Sequence, residues 1–593
     1  MALKNLEKLY AKPLESSRTG AFYNTFAYPT KISPEAIGVY IACATEPGET
    51  VLDVFSGSGS TGIAALMCEY PTRQMKEIAS SLGVMPKWGA RNAVLYEIGT
   101  YASFATQTLL NRLTSNEYKE AVEAFLDKAS KLVGAVYSVI DPNGREGTLR
   151  YAIWSEILVC PSCGNELSYF EQAMSRNPAT FRKTIICPSC GKQHDVDSIP
   201  FATENYYDPL LERTISRKKR VPVWIYGTTN GVNWDRPACP EDENVLRIEK
   251  LMPARKEPKE IRWGELHRSG YHYGITHLHH FYTLRNYLVM NSLWQLAESF
   301  PKRQANALKL LLLSYNATHC TMMTRVVAKK NSRDFVLTGA QSGVLYISKV
   351  PVEKNILLGL QRKAKPFAEA YGMLENCSGT VSVHNQSSTN MSEPNNSIDF
   401  VFTDPPFGDF IPYAEVNQIN ELWLENVTNR TDEVIISDSQ NKDISTYQRM
   451  LTSVFKEINR TLKPTGYASV VFHAAKATVW EAFNSSIKNS GFRVVASNIL
   501  DKTQASFKQV VSEGAVRGDP LFLLQKSTHD AVTNLSDLVL LDDIIMENAN
   551  DESFDMRRCY SIYVYTCLER GASVTMNAKQ VYDYYTLKKG TQK

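Results

Sequence analysis

Two short stretches hold the residue types best suited to chemistry: the glycine-rich run VLDVFSGSGSTGIAAL and the tetrapeptide Asp404-Pro405-Pro406-Phe407. In the run, Gly57, Gly59 and Gly62 fit G-x-G-x-x-G at the end of an apolar, strand-like stretch. Glycines there let a ligand approach the backbone, and the helix that follows offers N–H groups to an anion. The pattern alone suits a dinucleotide as well as S-adenosylmethionine. Three details favour the methyl donor, whose carboxylate would meet the helix end. Asp53, just before the loop, can hold an ammonium group, and Phe55 supplies an aromatic wall. The next acidic strand end, Glu97 after NAVLY, lies well beyond the roughly 20-residue spacing of a dinucleotide fold. It can accept hydrogen bonds from ribose hydroxyls, and Thr61 joins the same expected donor site.

The second stretch follows SIDFVFT. A Pro-Pro pair by itself marks only a turn, but each part here has a use on an exocyclic base amine. Such a nitrogen is a poor nucleophile because its lone pair is delocalised into the ring. Two acceptors aimed at its hydrogens favour the pyramidal geometry that attacks a sulfonium methyl. The Asp404 carboxylate is one, and the carbonyl of Pro405, its direction fixed by the proline pair with Pro406, is the other. Phe407 offers a face for an extruded base. Rate then comes from positioning, without a covalent enzyme intermediate.

Cys160-Pro-Ser-Cys163 and Cys187-Pro-Ser-Cys190 are each followed by glycine. Two such knuckles make a four-thiolate zinc site, structural in role because no ligand position is left open. His194 is near but not needed. The run Arg217-Lys218-Lys219-Arg220, with Trp224 and Tyr226 just after it, is a candidate DNA-phosphate contact or simply a solvated face. The irregularly spaced His267, His272, His277, His279 and His280 read as packing and hydrogen bonding rather than as metal ligands.

These residues need an α/β frame. The pattern predicts a helix from Ala36 to Ala44, a strand from Thr50 to Phe55, a helix from Ile63 to Cys68 and a strand from Asn92 to Tyr96. Strands return at 398–403 and 467–473, with helices at 447–462 and 478–490. Residues 378–397, rich in Ser, Thr and Asn, read as a loop. The expected architecture is a Rossmann-like α/β methyltransferase sheet interrupted by a four-cysteine zinc-ribbon insertion and helices. Its segments are residues 1–150 (first half, donor motifs), 151–265 (zinc-ribbon insertion and possible DNA-contact region), 266–344 (helical), 345–528 (second half, DPPF motif) and 529–593 (small helical appendage).

The glycine loop and DPPF together resemble the motifs of the bacterial amino-methyltransferases that modify N6 of adenine or N4 of cytosine in DNA. FYNTFAYPTKISPEAI resembles the family's further donor segment, which would put Asn24, Thr30 and Lys31 near the donor's amino-acid end. TYQRMLTSVFKEINRTLKPTGYASVVFH and SFKQVVSEGAVRGDP resemble later family segments. The chain departs from the family in carrying Phe407 where Tyr is commoner, and in the long insertion between the motifs. The resemblance implies a site-specific DNA methyltransferase with S-adenosylmethionine as donor, zinc as a structural metal and DNA as partner. Asp at position 404 tilts the target toward adenine N6. It also implies a setting of restriction-modification or phage defence, with possible companion subunits. N4-cytosine methylation, an RNA base-amine methyltransferase and a non-catalytic zinc-ribbon nucleic-acid binder remain as alternatives.

The bulk composition fits this reading. With 43% apolar and 21% charged residues the chain is neither disordered nor membrane-like, and its net charge of +3 does not by itself mark a nucleic-acid binder. Four of the 11 cysteines sit in the two pairs, which is not a disulfide framework. No stretch has signal-peptide or membrane-span character, so a cytoplasmic setting is expected.

Overall fold

The computed structural model describes residues 6, 8–10, 14–16, 19–329, 332, 334–502, 519–527, 536–549, 554–570 and 572–591. The expected family-like segment SFKQVVSEGAVRGDP falls almost wholly outside them. At the centre is an eight-stranded sheet. Its strands in chain order are β1 (Leu14–Ser16), β2 (Thr50–Asp53), β3 (Asn92–Tyr96), β4 (Val381–His384), β5 (Ile398–Thr403), β6 (Leu462–Val471), β7 (Phe492–Lys502) and β8 (Asp519–Lys526). Their order across the sheet is β1-β7-β8-β6-β5-β2-β3-β4. Only β8 runs against its neighbours; every other adjacent pair is parallel. This mixed sheet is consistent with a methyltransferase-like α/β fold.

Strand alternation sends side chains to two cores. On β2, Val51 faces one and Leu52 the other; on β5, Phe400 and Phe402 oppose Val401. The first core is covered by helices Pro34–Ala44, Ser60–Met67, Thr100–Leu110 and Ser115–Val133, joined by Leu284–Glu298, Lys302–Ser314 and Ile356–Leu374. The second is covered by Ile444–Thr461, Ala477–Lys488 and the C-terminal helices Asp537–Glu547, Met556–Glu569 and Ala578–Thr591.

The insertion is larger than its cysteine pairs suggest. Its long strand Glu146–Val159 pairs with Ser138–Ile140, Glu166–Ser168, Arg220–Thr229 and Val352–Lys354. Residues 352–354 therefore close the insertion rather than open the second half of the α/β unit, and the expected boundaries at 150 and 345 both shift. Helices Leu284–Glu298 and Lys302–Ser314 are not a separate segment either, because they pack into the first core. One expected loop is a strand: Val381–His384 pairs in parallel with β3 as the sheet edge. An edge strand with one exposed flank carries polar residues, which is why its composition reads as loop.

Candidate active site

β2 and β5 are parallel neighbours, with Phe400 opposite Val51 and Val401 opposite Leu52. The glycine loop and the DPPF segment therefore leave the sheet side by side at its carboxyl edge. The chain proceeds from β2 toward β3 on one side and from β5 toward β6 on the other. The crevice between them is the switch point where open α/β sheets bind ligands. A cleft partly open to solvent lies there, lined from both sides: Asp53, Phe55, Gly57 and Thr61 on one, Asp404 and Pro406 on the other.

Asp53 ties the two strands together. Its Oδ1 accepts from the Thr403 hydroxyl at 2.8 Å and from the Phe55 N–H at 3.1 Å, and its Oδ2 accepts from the Thr61 hydroxyl at 2.7 Å. Burial lifts its carboxyl to about 6, although these three donors pull the other way. Glu97, at the end of β3, accepts from the Gly57 N–H at 2.7 Å and the Gly99 N–H at 2.6 Å, and burial raises it to about 7. The glycines have specific reasons. Gly57 has φ +47°, and a Cβ there would sit 2.9 Å from the Tyr28 ring; Gly59 has φ +74°, and a Cβ would meet Thr106 at 2.4 Å. On the cleft wall the Ser56 hydroxyl is buried with no hydrogen-bond partner.

Residues 3–70 match the family model described as DNA methylase. The match takes in the Thr30–Lys31 segment, β2 and the glycine loop, and stops far short of DPPF. It supports a DNA methylase, an enzyme class that uses S-adenosylmethionine. No curated protein matches the chain.

Thr30 and Lys31, within the matched stretch, line the cleft. Thr30 shares a 3.0 Å hydrogen bond with the Tyr413 hydroxyl. The Lys31 ammonium donates to the Phe22 carbonyl at 2.6 Å, and burial lowers its pKa to about 7. Asn24 does not join them. It is exposed and off the cleft, and its carbonyl accepts from Lys363 at 2.5 Å.

The DPPF segment divides. Asp404 and Pro406 line the cleft, whereas Pro405 and Phe407 do not. Phe407 is 8% exposed and lies in the second core, edge-on to Phe472 at 5.7 Å. The expected stacking face therefore points away from the cleft, because the apolar pocket beneath the loop takes the ring. The Pro406 carbonyl is occupied, accepting from the Tyr447 hydroxyl at 2.7 Å.

Sequence patterns missed the far wall of the cleft. Tyr28 and Tyr413 stack there with centroids 5.9 Å apart, and Asn417, Glu421, Thr428 and Glu433 join them. Glu421 accepts from the Thr428 hydroxyl at 2.6 Å and the Thr428 N–H at 2.9 Å, and burial raises its pKa. These residues follow no motif.

The four cysteines converge. Cys160 and Cys190 Sγ are 3.8 Å apart, Cys163 and Cys187 Sγ 3.6 Å, and all four lie within 4.8 Å of one another. A tetrahedron with ~2.3 Å zinc–sulfur bonds has edges of about 3.8 Å, so the thiols suit a metal ion. The two knuckles are built alike. The Gly164 N–H reaches the Cys160 carbonyl and the Gly191 N–H the Cys187 carbonyl, both at 2.9 Å, with both glycines at positive φ. His194 Nε2 lies 3.5 Å from Cys160 Sγ.

A second polar cluster joins Asp208 to His279 and His280, each Nε2 lying 2.8 Å from the same carboxylate oxygen. The other Asp208 oxygen accepts from the Leu210 and Leu211 N–H groups. His280 Nδ1 accepts from the Thr276 N–H at 3.1 Å, so its proton is on Nε2, donated to Asp208. The ligand atoms of Asp208, His279 and His280 all lie within 4.8 Å of one another, an arrangement that could also hold a metal ion.

The basic run is not an open phosphate-binding stripe. Arg217 pairs with Glu204 at 2.8 Å, Lys219 with Glu166 at 2.5 Å, and Lys218 and Arg220 both with Glu156 at 3.4 and 3.2 Å. Lys218 and Glu156 are buried. Each of the four cations therefore already faces a carboxylate. They lie where the strand Arg213–Lys218 gives way to Arg220–Thr229, and the strands paired with these bring Glu204 opposite Arg217 and Glu156 opposite Arg220.

Proposed function

We propose that this chain is a site-specific DNA methyltransferase that transfers a methyl group from S-adenosylmethionine to an exocyclic base amine, adenine N6 in particular. The observation that carries the reading is the shared cleft: the glycine loop and Asp404 face one cavity from adjacent parallel strands. The donor fits the residues present. Gly57 and Gly59 hold the left-handed turns that bring the loop backbone to the cleft, and the orphaned Ser56 hydroxyl faces it.

When bound, S-adenosylmethionine supplies an electrophilic sulfonium methyl. This chain's residues do the rest. Asp53, with Thr61, presents carboxylate charge toward the donor's ammonium group. Glu97 accepts from ribose hydroxyls, and Phe55 packs against the donor. Thr30 and Lys31 lie beside the donor's amino-acid end. Asp404 would accept a hydrogen bond from the target amine and favour the pyramidal nitrogen that attacks the methyl group; as the N–C bond forms the C–S bond breaks, the donor leaves as a neutral thioether, and the methylated nitrogen gives its proton to solvent. Asp rather than Ser at 404 is the ground for adenine. Cys160, Cys163, Cys187 and Cys190 hold a structural zinc ion that stabilises the insertion. DNA is the partner. Among the described residues no helix is long and apolar enough to cross a membrane.

The deciding experiment is methylation-aware sequencing of DNA from cells expressing this chain, beside an Asp404→Ala control, followed by nucleoside mass spectrometry. N6-methyladenine at one sequence motif, absent in the control, is the expected result. N4-methylcytosine alone would redirect the target base. Methylated RNA with unmodified DNA would redirect the substrate, and no methylated base of any kind would end the reading.

A further inference from the structure

We propose that Tyr413, not the phenylalanine of DPPF, is the aromatic face on which the extruded base stacks. The inference rests on the methyltransferase reading above. A base presented to Asp404 needs a ring beside it, and base–aromatic stacking is the sequence-tolerant way to hold an extruded nucleotide.

Phe407 cannot supply that ring from where it lies. Its neighbours Phe472, His473 and Phe410 surround it at centroid distances of 5.7, 6.0 and 6.4 Å. The loop that carries it is pinned from both sides. The Tyr447 hydroxyl and the Gly408 N–H hold the Pro406 carbonyl, and the Gly408 carbonyl accepts from Ile436. Gly408 has φ +67°, and a Cβ there would press on Val479 at 3.2 Å. Turning Phe407 toward the cleft would break this loop and empty a core position.

Tyr413 is already in place. Between residues 404 and 434 it is the only aromatic side chain that lines the cleft, and it shares the wall with Asp404 and Pro406. It opens the helix Tyr413–Glu421, whose first turn is fixed by the Ala414 N–H donating to Glu433 at 3.0 Å. The Tyr413 hydroxyl shares a 3.0 Å hydrogen bond with Thr30, which fixes the far end of the ring. That ring already stacks, lying 24° from parallel with Tyr28 at 5.9 Å, within the ~4.5–7 Å range of aromatic pairs. Tyr28 in turn covers Gly57. A base enters by taking Tyr28's place on the Tyr413 face, which sets it between Asp404 and the glycine loop.

The test uses the full-length protein and a duplex containing the methylated motif, with 2-aminopurine in place of the target base. The measurements are fluorescence on binding, single-turnover methylation of the natural duplex, and donor Kd. Tyr413→Leu is expected to brighten the bound 2-aminopurine by removing its stacking quencher. It should slow methyl transfer about 10- to 100-fold while leaving donor Kd within about threefold. Tyr413→Phe and Tyr413→Trp should restore both quench and rate, which a merely structural role for the position would not require of a bulky indole. Tyr413→Leu with quench and rate intact would overturn the proposal. So would a quench lost in Phe407→Leu and kept in Tyr413→Leu. An inactive wild-type protein would instead remove the methyltransferase reading itself.

Discussion

At Asp404 the proposed reaction asks one side chain to accept from an amine whose lone pair is otherwise tied up in the ring. Removing a single preorganised hydrogen-bond partner of a transition state costs about 10²–10³-fold in rate. Asp404→Ala should therefore lose at least about 100-fold in single-turnover methylation, with donor affinity by calorimetry little changed. The donor side has its own residue-scale signature. Burial lifts Glu97 to about 7 and Asp53 to about 6. Both carry charge only when deprotonated, so their attraction for a cationic donor is present above pH 7 and fades as pH falls through 7 and then 6. Donor Kd should rise by about tenfold between pH 8 and pH 5.5, one pKa unit being worth about 1.4 kcal/mol. Glu97→Gln should bind more weakly at pH 8 with a flatter profile, and a flat wild-type profile would count against carboxylates holding the donor. Asp53 was legible in the sequence because it stands just before glycines that a tight turn explains, and Glu97 because it ends the apolar strand NAVLY. The direction of the Phe407 ring was not, because it depends on Phe472 and Phe410 filling or vacating a pocket.

The two cysteine hairpins and the basic strand show how differently elements reveal themselves. A knuckle is local: Cys, two residues, Cys and a glycine at positive φ suffice, so the cluster is readable from spacing. Chelation, or Cys163→Ser, should release one equivalent of zinc by atomic emission and lower the unfolding temperature of the insertion. The four cations of residues 217–220 carry no such local rule. Their meaning depends on carboxylates brought alongside by strand pairing, above all Glu156, which is buried against Lys218 and Arg220. Glu156→Ala strands two buried cations and should destabilise the protein by about 3–5 kcal/mol in denaturant unfolding. Lys219→Ala removes a half-exposed pair with Glu166 and should change stability by no more than about 1 kcal/mol.

Across the whole molecule, the insertion combines a detachable part with an indispensable one. The cysteine hairpins pack in a small cluster of their own, and the chain enters and leaves them side by side, where the Val159 N–H meets the Pro200 carbonyl at 2.8 Å. Replacing residues 161–199 with a short glycine-serine linker should leave donor Kd within about threefold. Removing 284–314 strips helices from the first core and should abolish donor binding along with the folded transition. The sequence by itself determined the strand-loop-helix around Gly57, the DPPF turn and the thiol set, because each is written in neighbouring residues with their own steric or ligand demands. Tertiary structure decided the rest. It determined that β5 pairs with β2, that Tyr28 and Tyr413 close the cleft, that 381–384 is an edge strand, and that the basic run is neutralised. Those outcomes depend on which residues, far apart in the chain, come to share one buried space, and no local pattern carries that information.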